Sequence, residues 1–198
     1  MKLNYKEYNV TIALSENIKQ KTFLLQKYCY DNIGKNESLE EHACVFLGIL
    51  RETITNQTNA SPFISGDFED EVERIINSTR TSKININGLG HLIQPSGLIT
   101  IYASIVMNDR DNNLLNKLIN SLNLVTVGPL VPIIKDVPEK LFNIVWPYFK
   151  KLNFSESFIP DLVTVNYKEI DETGVSWSYI EYPLSPLQKD FIPYLPTN

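Results

Sequence analysis

Ala43-Cys44-Val45-Phe46-Leu47-Gly48-Ile49-Leu50 carries no polar side chain. A helix that is apolar all round has to be covered on every side. Ahead of this run, Ser38 followed by Glu41 has the form of a capping box, and Glu40 and Glu41 suit the positive end of a helix dipole. Behind it, Arg51, Glu52 and Thr53 return the chain to water. The run is far shorter than the ~20 residues that cross a bilayer. On this reading residues 38–55 form a central buried helix, and residues 43–50 lie in the dry interior.

The rest of the composition sets limits on what surrounds that element. With 198 residues, 43% hydrophobic and 21% charged, the chain has the make-up of one globular domain spanning 1–198. Net charge is −5, from 18 basic and 23 acidic residues, and no Lys/Arg block is denser than Lys150-Lys151. General nucleic-acid binding relies on a basic face, so that class is disfavoured. Cys29 and Cys44 both sit in apolar settings and read as buried, reduced thiols. No secretory h-region follows Met1 and no transmembrane span is visible, so a cytoplasmic, soluble, microbial protein without membrane contact is expected.

Moving outward from the central run, Tyr8, Val10, Ile12 and Leu14 alternate as a strand with one buried face. Ser15 offers a helix cap, Ile18, Leu25 and Cys29 recur at helical spacing, and Gly34 suits the left-handed stop. With the next helix this would make an antiparallel helical hairpin. A further helix starts at Asp67, with Phe68, Val72, Ile75 and Ile76 inward and Asp70 able to pair with Arg74. The Gly88–Gly97 stretch breaks regular structure, Leu98–Met107 is a buried strand, and Leu114–Leu122 is helical. Pro129 and Pro132 mark residues 124–134 as an edge strand or extended connection. Asp136-Val137-Pro138-Glu139 opens another helix, kinked at Pro147. Residues 161–182 form a hairpin, and the proline-rich tail from about 183 to 198 runs extended. The fold class is therefore α+β: a small, mostly antiparallel sheet packed against a helical layer.

Chemistry is less visible than shape. His42 has no acid at i−3 or i−4, so no two-ligand metal spacing arises there. His91 follows Gly88-x-Gly90, a backbone a ligand can approach, but the fragment lacks the third glycine of a dinucleotide site. Asp109-x-Asp111 begins like a calcium loop whose required glycine is Leu114. No cofactor, metal or catalytic residue is assigned from these patterns. The hairpin is richer. Tyr167, Trp177, Tyr179 and Tyr182 concentrate aromatic area, as in protein interfaces, and Asp70 and Glu73 lend an acidic surface.

The leading expectation is a non-catalytic protein-binding module, such as an immunity or inhibitor protein that neutralises a basic toxin domain by contact through those six residues. The alternative is a small enzyme or small-molecule-binding domain with a pocket near Gly88–Gly97, using His91 with Asp109 or Asp111. A structural subunit of a phage or other assembly is a third reading.

Overall fold

The apolar run is a strand. In a computed structural model that describes residues 5–36, 39, 43–53, 67–79, 81–107, 113–170 and 175–184, Cys44–Thr53 is extended and hydrogen-bonded on both sides. Val45 and Leu47 are fully buried, while Cys44, Phe46 and Ile49 are half-buried. That is a period of two, the signature of a pleat. A register shift opposite Val10/Thr11 leaves Leu47 as an extra residue, and the bulge turns Leu50 back to the core. The central helix and the helical hairpin are thus replaced by a central strand. The capping residues Ser38 and Glu41 lie outside the described residues.

In chain order the elements are β1 (Tyr5–Ala13), α1 (Glu16–Ile33), β2 (Cys44–Thr53), α2 (Asp67–Ser78), β3 (Ile84–Ile93) and β4 (Ile99–Ile105), then α3 (Asn113–Ser121), β5 (Leu130–Val137), α4 (Glu139–Phe149), β6 (Ser155–Phe158), β7 (Leu162–Ile170) and β8 (Val175–Pro183). These four helices and eight strands, counted among the described residues, make the chain α+β. The strands form one sheet in the order β6-β3-β4-β5-β2-β1-β7-β8, with every pair antiparallel. No described helix is long and apolar enough to cross a membrane.

The sheet has a thin place. β1 and β7 are registered over eight pairs, whereas β2 and β5 meet at Phe46↔Leu130, supported by an isolated bridge between Ile49 and Val125. This seam divides the sheet into a β6-β3-β4-β5 half and a β2-β1-β7-β8 half. Helices are exchanged across it. α1 lies between β1 and β2 in sequence yet packs on β5 and α4, and Tyr28 stacks on Tyr148 at 3.9 Å. α3 lies between β4 and β5 yet packs on β2 and α2, and α2 sets Phe68 against Tyr8 at 4.3 Å.

These contacts put the helices on one face of the sheet. Val10, Ile12, Val45, Leu47, Ile101, Ala103, Val163 and Val165 point to that face and are sealed in the core with Ile18, Cys29, Val72, Leu118 and Val145. α1 forms because Ile18, Thr22, Leu25 and Cys29 make one buried stripe; it ends where Gly34, at φ 82°, donates its N–H to the Tyr30 carbonyl. α2 is more sharply amphipathic, with Phe68, Val72 and Ile75 inward.

Four local expectations change. Gly88–Ile93 is the second half of β3, not a break, and its irregularity is a register shift between Ile86 and Leu89. β5 lies in mid-sheet, and Pro132 is accommodated because no β2 partner is registered beyond Leu130 among the described residues. Asp136 is not a helix cap: it sits at φ 58° in β5 and accepts a hydrogen bond from Gln94 Nε2 at 2.8 Å, while Pro138 precedes α4. Arg74 pairs with Glu71 at 2.5 Å, at i,i+3 in place of the expected i,i+4 partnership with Asp70.

Candidate functional site

With the helices on one side, the other face of the sheet carries the side chains of opposite parity. Cys44 and Phe46 on β2 face this way, as do Thr100, Tyr102 and Ser104 on β4. The registered pairs set them in rungs across the strands. One rung runs Ser104, Leu130, Phe46, Thr11, Thr164, Glu181. The next runs Ile49, Asn9, Asn166, Tyr179, and a third runs Arg51, Glu7, Lys168, Trp177. On the other side of the seam, Pro132, Tyr102 and Gly90 are aligned.

The floor at the seam is therefore apolar, made by Phe46, Leu130 and Pro132, with hydroxyls of Tyr102 and Ser104 on one flank and of Thr11 and Thr164 on the other. The Thr11 hydroxyl donates to the Thr164 carbonyl at 3.2 Å. Leu130 is buried but stands outside the helix-side core. A depression of about 240 Å³ lies to the β4–β5 side of this floor, lined by Leu92, Tyr102, Ser104, Met107, Gly128 and Leu130, among others. Tyr102 lies flat on the sheet because Gly90 has no side chain: a Cβ at Gly90 would come within 2.9 Å of the phenol ring.

The residues singled out in the sequence are distributed over both faces. Tyr167 and Tyr182 are on the helix side. Tyr167 lies 6.1 Å from the Tyr8 ring, and burial together with the nearby Glu69, Glu73 and Asp70 carboxylates pushes the Tyr182 phenol up to about 12. Asp70 and Glu73 are exposed on α2 beside it. Trp177 and Tyr179 point the other way and are 62% and 67% exposed. The six residues therefore do not make one surface.

His91 is also on the helix side, with its ring 5.0 Å from Phe142 and 4.7 Å from Trp146. The depression touches the Gly88–Gly97 stretch at Leu92 instead. Asp109 and Asp111 lie outside the described residues, as does His42. Phe46, Tyr102 and Ser104 were missed as site residues. The signal for Tyr102 and Ser104 was present, since they alternate with Ile101, Ala103 and Ile105 in a strand already recognised.

The two cysteines differ in setting. Cys29 is fully buried on α1, and burial pushes its thiol up to about 12, so it stays protonated and inert. Cys44 is half-buried on the open face, which corrects the expectation that both thiols are interior. A thiol reagent is expected to titrate Cys44 alone in the native protein and both cysteines in denaturant. Modification of Cys29 ahead of Cys44, read by peptide mass, would contradict this placement.

The architecture is similar to that of several solved structures. E. coli LigT in apo form matches with a TM-score of 0.55 at 9% identity, over 92% of this chain and 99% of LigT. LigT complexed with ATP matches with a TM-score of 0.54 at 10% identity, over 91% and 99% of the two chains. The protein TT0787 of Thermus thermophilus matches with a TM-score of 0.61 at 11% identity, over 91% and 99%. No family model and no curated protein matches the sequence. These likenesses overturn the expectation of a non-catalytic immunity or toxin-inhibitor module: almost the whole chain is spent on a fold shared with LigT and with a solved structure described as a phosphoesterase. The small-enzyme or ligand-binding alternative fits this fold better.

Proposed function

We propose that this chain binds a nucleoside phosphate at the seam of the open face and acts there on a phosphoester bond. The observation that carries the proposal is the composition of the floor in this fold. The half-buried apolar side chains of Phe46 and Pro132, on either side of the buried Leu130, accept a base and sugar, and hydroxyl groups on both flanks reach polar oxygens. LigT, which has this architecture, has been solved with ATP and with 3′-AMP. Tyr102, lying over Gly90, offers its outer ring face for stacking and its hydroxyl for hydrogen bonding.

Proton transfer near neutral pH is a task suited to histidine. Of the two histidines, His91 is committed to Phe142 and Trp146 on the far face. His42 is the remaining candidate, two positions before the open-face residue Cys44 in the sequence. We assign it the proton-transfer role and assign Ser104 and Tyr102 to orienting the phosphoester.

Thermal-shift titration with 3′-AMP and ATP, and turnover of bis-para-nitrophenyl phosphate, test both parts. Stabilisation by at least one nucleotide is expected, weakened about tenfold in Tyr102→Ala by loss of a stacking surface. Gly90→Ala is expected to weaken it as well, because the ring must move. His42→Ala is expected to lower turnover by about 10²–10⁴-fold while nucleotide binding persists. No stabilisation by either nucleotide would overturn the binding site; unchanged turnover in His42→Ala would overturn the role given to that residue.

A further inference from the structure

Trp177 and Tyr179 are large aromatic side chains left in water on the same sheet face as the seam, at 62% and 67% exposure. Their parity forbids packing against the helices, since Tyr182 and Ile180 take that side. Each heads a rung that leads back across the sheet. Trp177 stands opposite Lys168, whose ammonium lies 5.1 Å from the ring centroid, and then Glu7 and Arg51 follow. Tyr179 stands opposite Asn166, then Asn9 and Ile49. Three strand spacings, roughly 14 Å, separate β8 from β2.

We propose that the open face of the β7–β8 hairpin is a stacking platform for unpaired nucleic-acid bases, taking up the strand that continues from a nucleotide seated at the seam. Two π-faces beside a cation and two carboxamides are the parts that sequence-tolerant single-strand binders use: rings for bases, a lysine for the backbone phosphate, amides for base edges. The spacing from seam to platform is of the order of two or three nucleotides. The inference rests on the nucleotide reading of the seam for its direction, but the platform itself is a separate surface. The charge on this face also sets the character of the binding. Arg51 is paired with Glu7 at 2.5 Å and Glu181 lies nearby on β8, so Lys168 is the principal phosphate partner. A chain with net charge −5 gains little long-range attraction for nucleic acid. Stacking therefore dominates, and the salt dependence is shallow, with a slope near about −0.7 for one neutralised phosphate.

The test uses the full chain, a short adenylate RNA oligonucleotide and 3′-AMP, with Trp177 as the sole tryptophan in a Trp146→Phe background. The oligonucleotide is expected to quench Trp177 fluorescence and 3′-AMP to leave it unchanged. Tyr179→Ala, and Trp177→Ala measured by anisotropy of labelled oligonucleotide, are each expected to weaken oligonucleotide affinity between about 5- and 150-fold, with 3′-AMP affinity unaltered. Oligonucleotide binding that neither variant changes, with 3′-AMP still bound, overturns the platform and leaves the seam site standing. Quenching of Trp177 by the oligonucleotide without any 3′-AMP binding supports the platform and sinks the seam site. A dimer in sedimentation that Trp177→Ala or Tyr179→Ala dissociates would make this face a contact between copies of the chain, and would overturn the proposal.

Discussion

Leu47→Ala is expected to destabilise the protein by about 2–5 kcal/mol, whereas Phe46→Ala, one residue away and removing a larger side chain, should cost no more than about 1.5 kcal/mol. Leu47 has no exposed surface and is surrounded by the helix-side core, so truncation leaves a cavity the packed neighbours cannot fill. Phe46 is half-buried on the open face and gives up only part of a full burial term. A helix enclosed on all sides would make both substitutions severe. Urea unfolding of the two variants decides between the geometries: similar large losses in both would restore the helix and remove the open-face site with it.

Gly48→Ala should lower stability by about 3 kcal/mol, although it adds a single carbon. A Cβ at residue 48 would stand 2.8 Å from the Leu124 Cβ and 2.9 Å from the Val125 carbonyl oxygen. One of those atoms is backbone, so relief requires moving the chain at residues 124–126. That segment is tied to β2 by paired hydrogen bonds, Ile49 N–H to Val125 O at 3.0 Å and Val125 N–H to Ile49 O at 2.8 Å. Overpacking costs roughly 1–3 kcal/mol, and weakening two hydrogen bonds adds about 1 kcal/mol each at most. At this chain length each kcal/mol lowers Tm by about 2–4 °C, so a fall of roughly 6–12 °C is expected. The damage falls on the seam, so nucleotide stabilisation should weaken in the same variant. Gly34→Ala is the control: its φ is 82° but nothing stands within 4 Å, and only the backbone preference of about 1 kcal/mol is lost. Equal melting temperatures for Gly48→Ala and the parent protein would show that β2 and residues 124–126 are not in contact.

Most of the periodic elements were legible from residues alone. α1, α2, α3, β1, β4 and the β7–β8 hairpin follow from apolar spacing and their turn residues. β2 escaped because its exposed-face positions, Cys44, Phe46 and Ile49, are as apolar as Val45 and Leu47, and alternation is invisible when both parities are apolar. The same fact hid the site. An apolar floor on the open face looks, in sequence, like more core. The hydroxyls of Ser104 and Thr11 lay inside recognised strands, but their convergence comes from the pairing Ser104–Leu130–Phe46–Thr11, which joins residues far apart in the chain. His91 drew attention through Gly88 and Gly90, whose purpose is different: Gly90 makes room for Tyr102, and the histidine beside it points to the opposite side.

The exchange of α1 and α3 across the seam has a consequence for how the molecule comes apart. α1 and α3 each pack on the half to which their flanking strands do not belong, so a half released from its counterpart would lose one of its covering helices at once. Heating should therefore produce one cooperative transition with matching calorimetric and van't Hoff enthalpies, despite a middle joined by so few rungs.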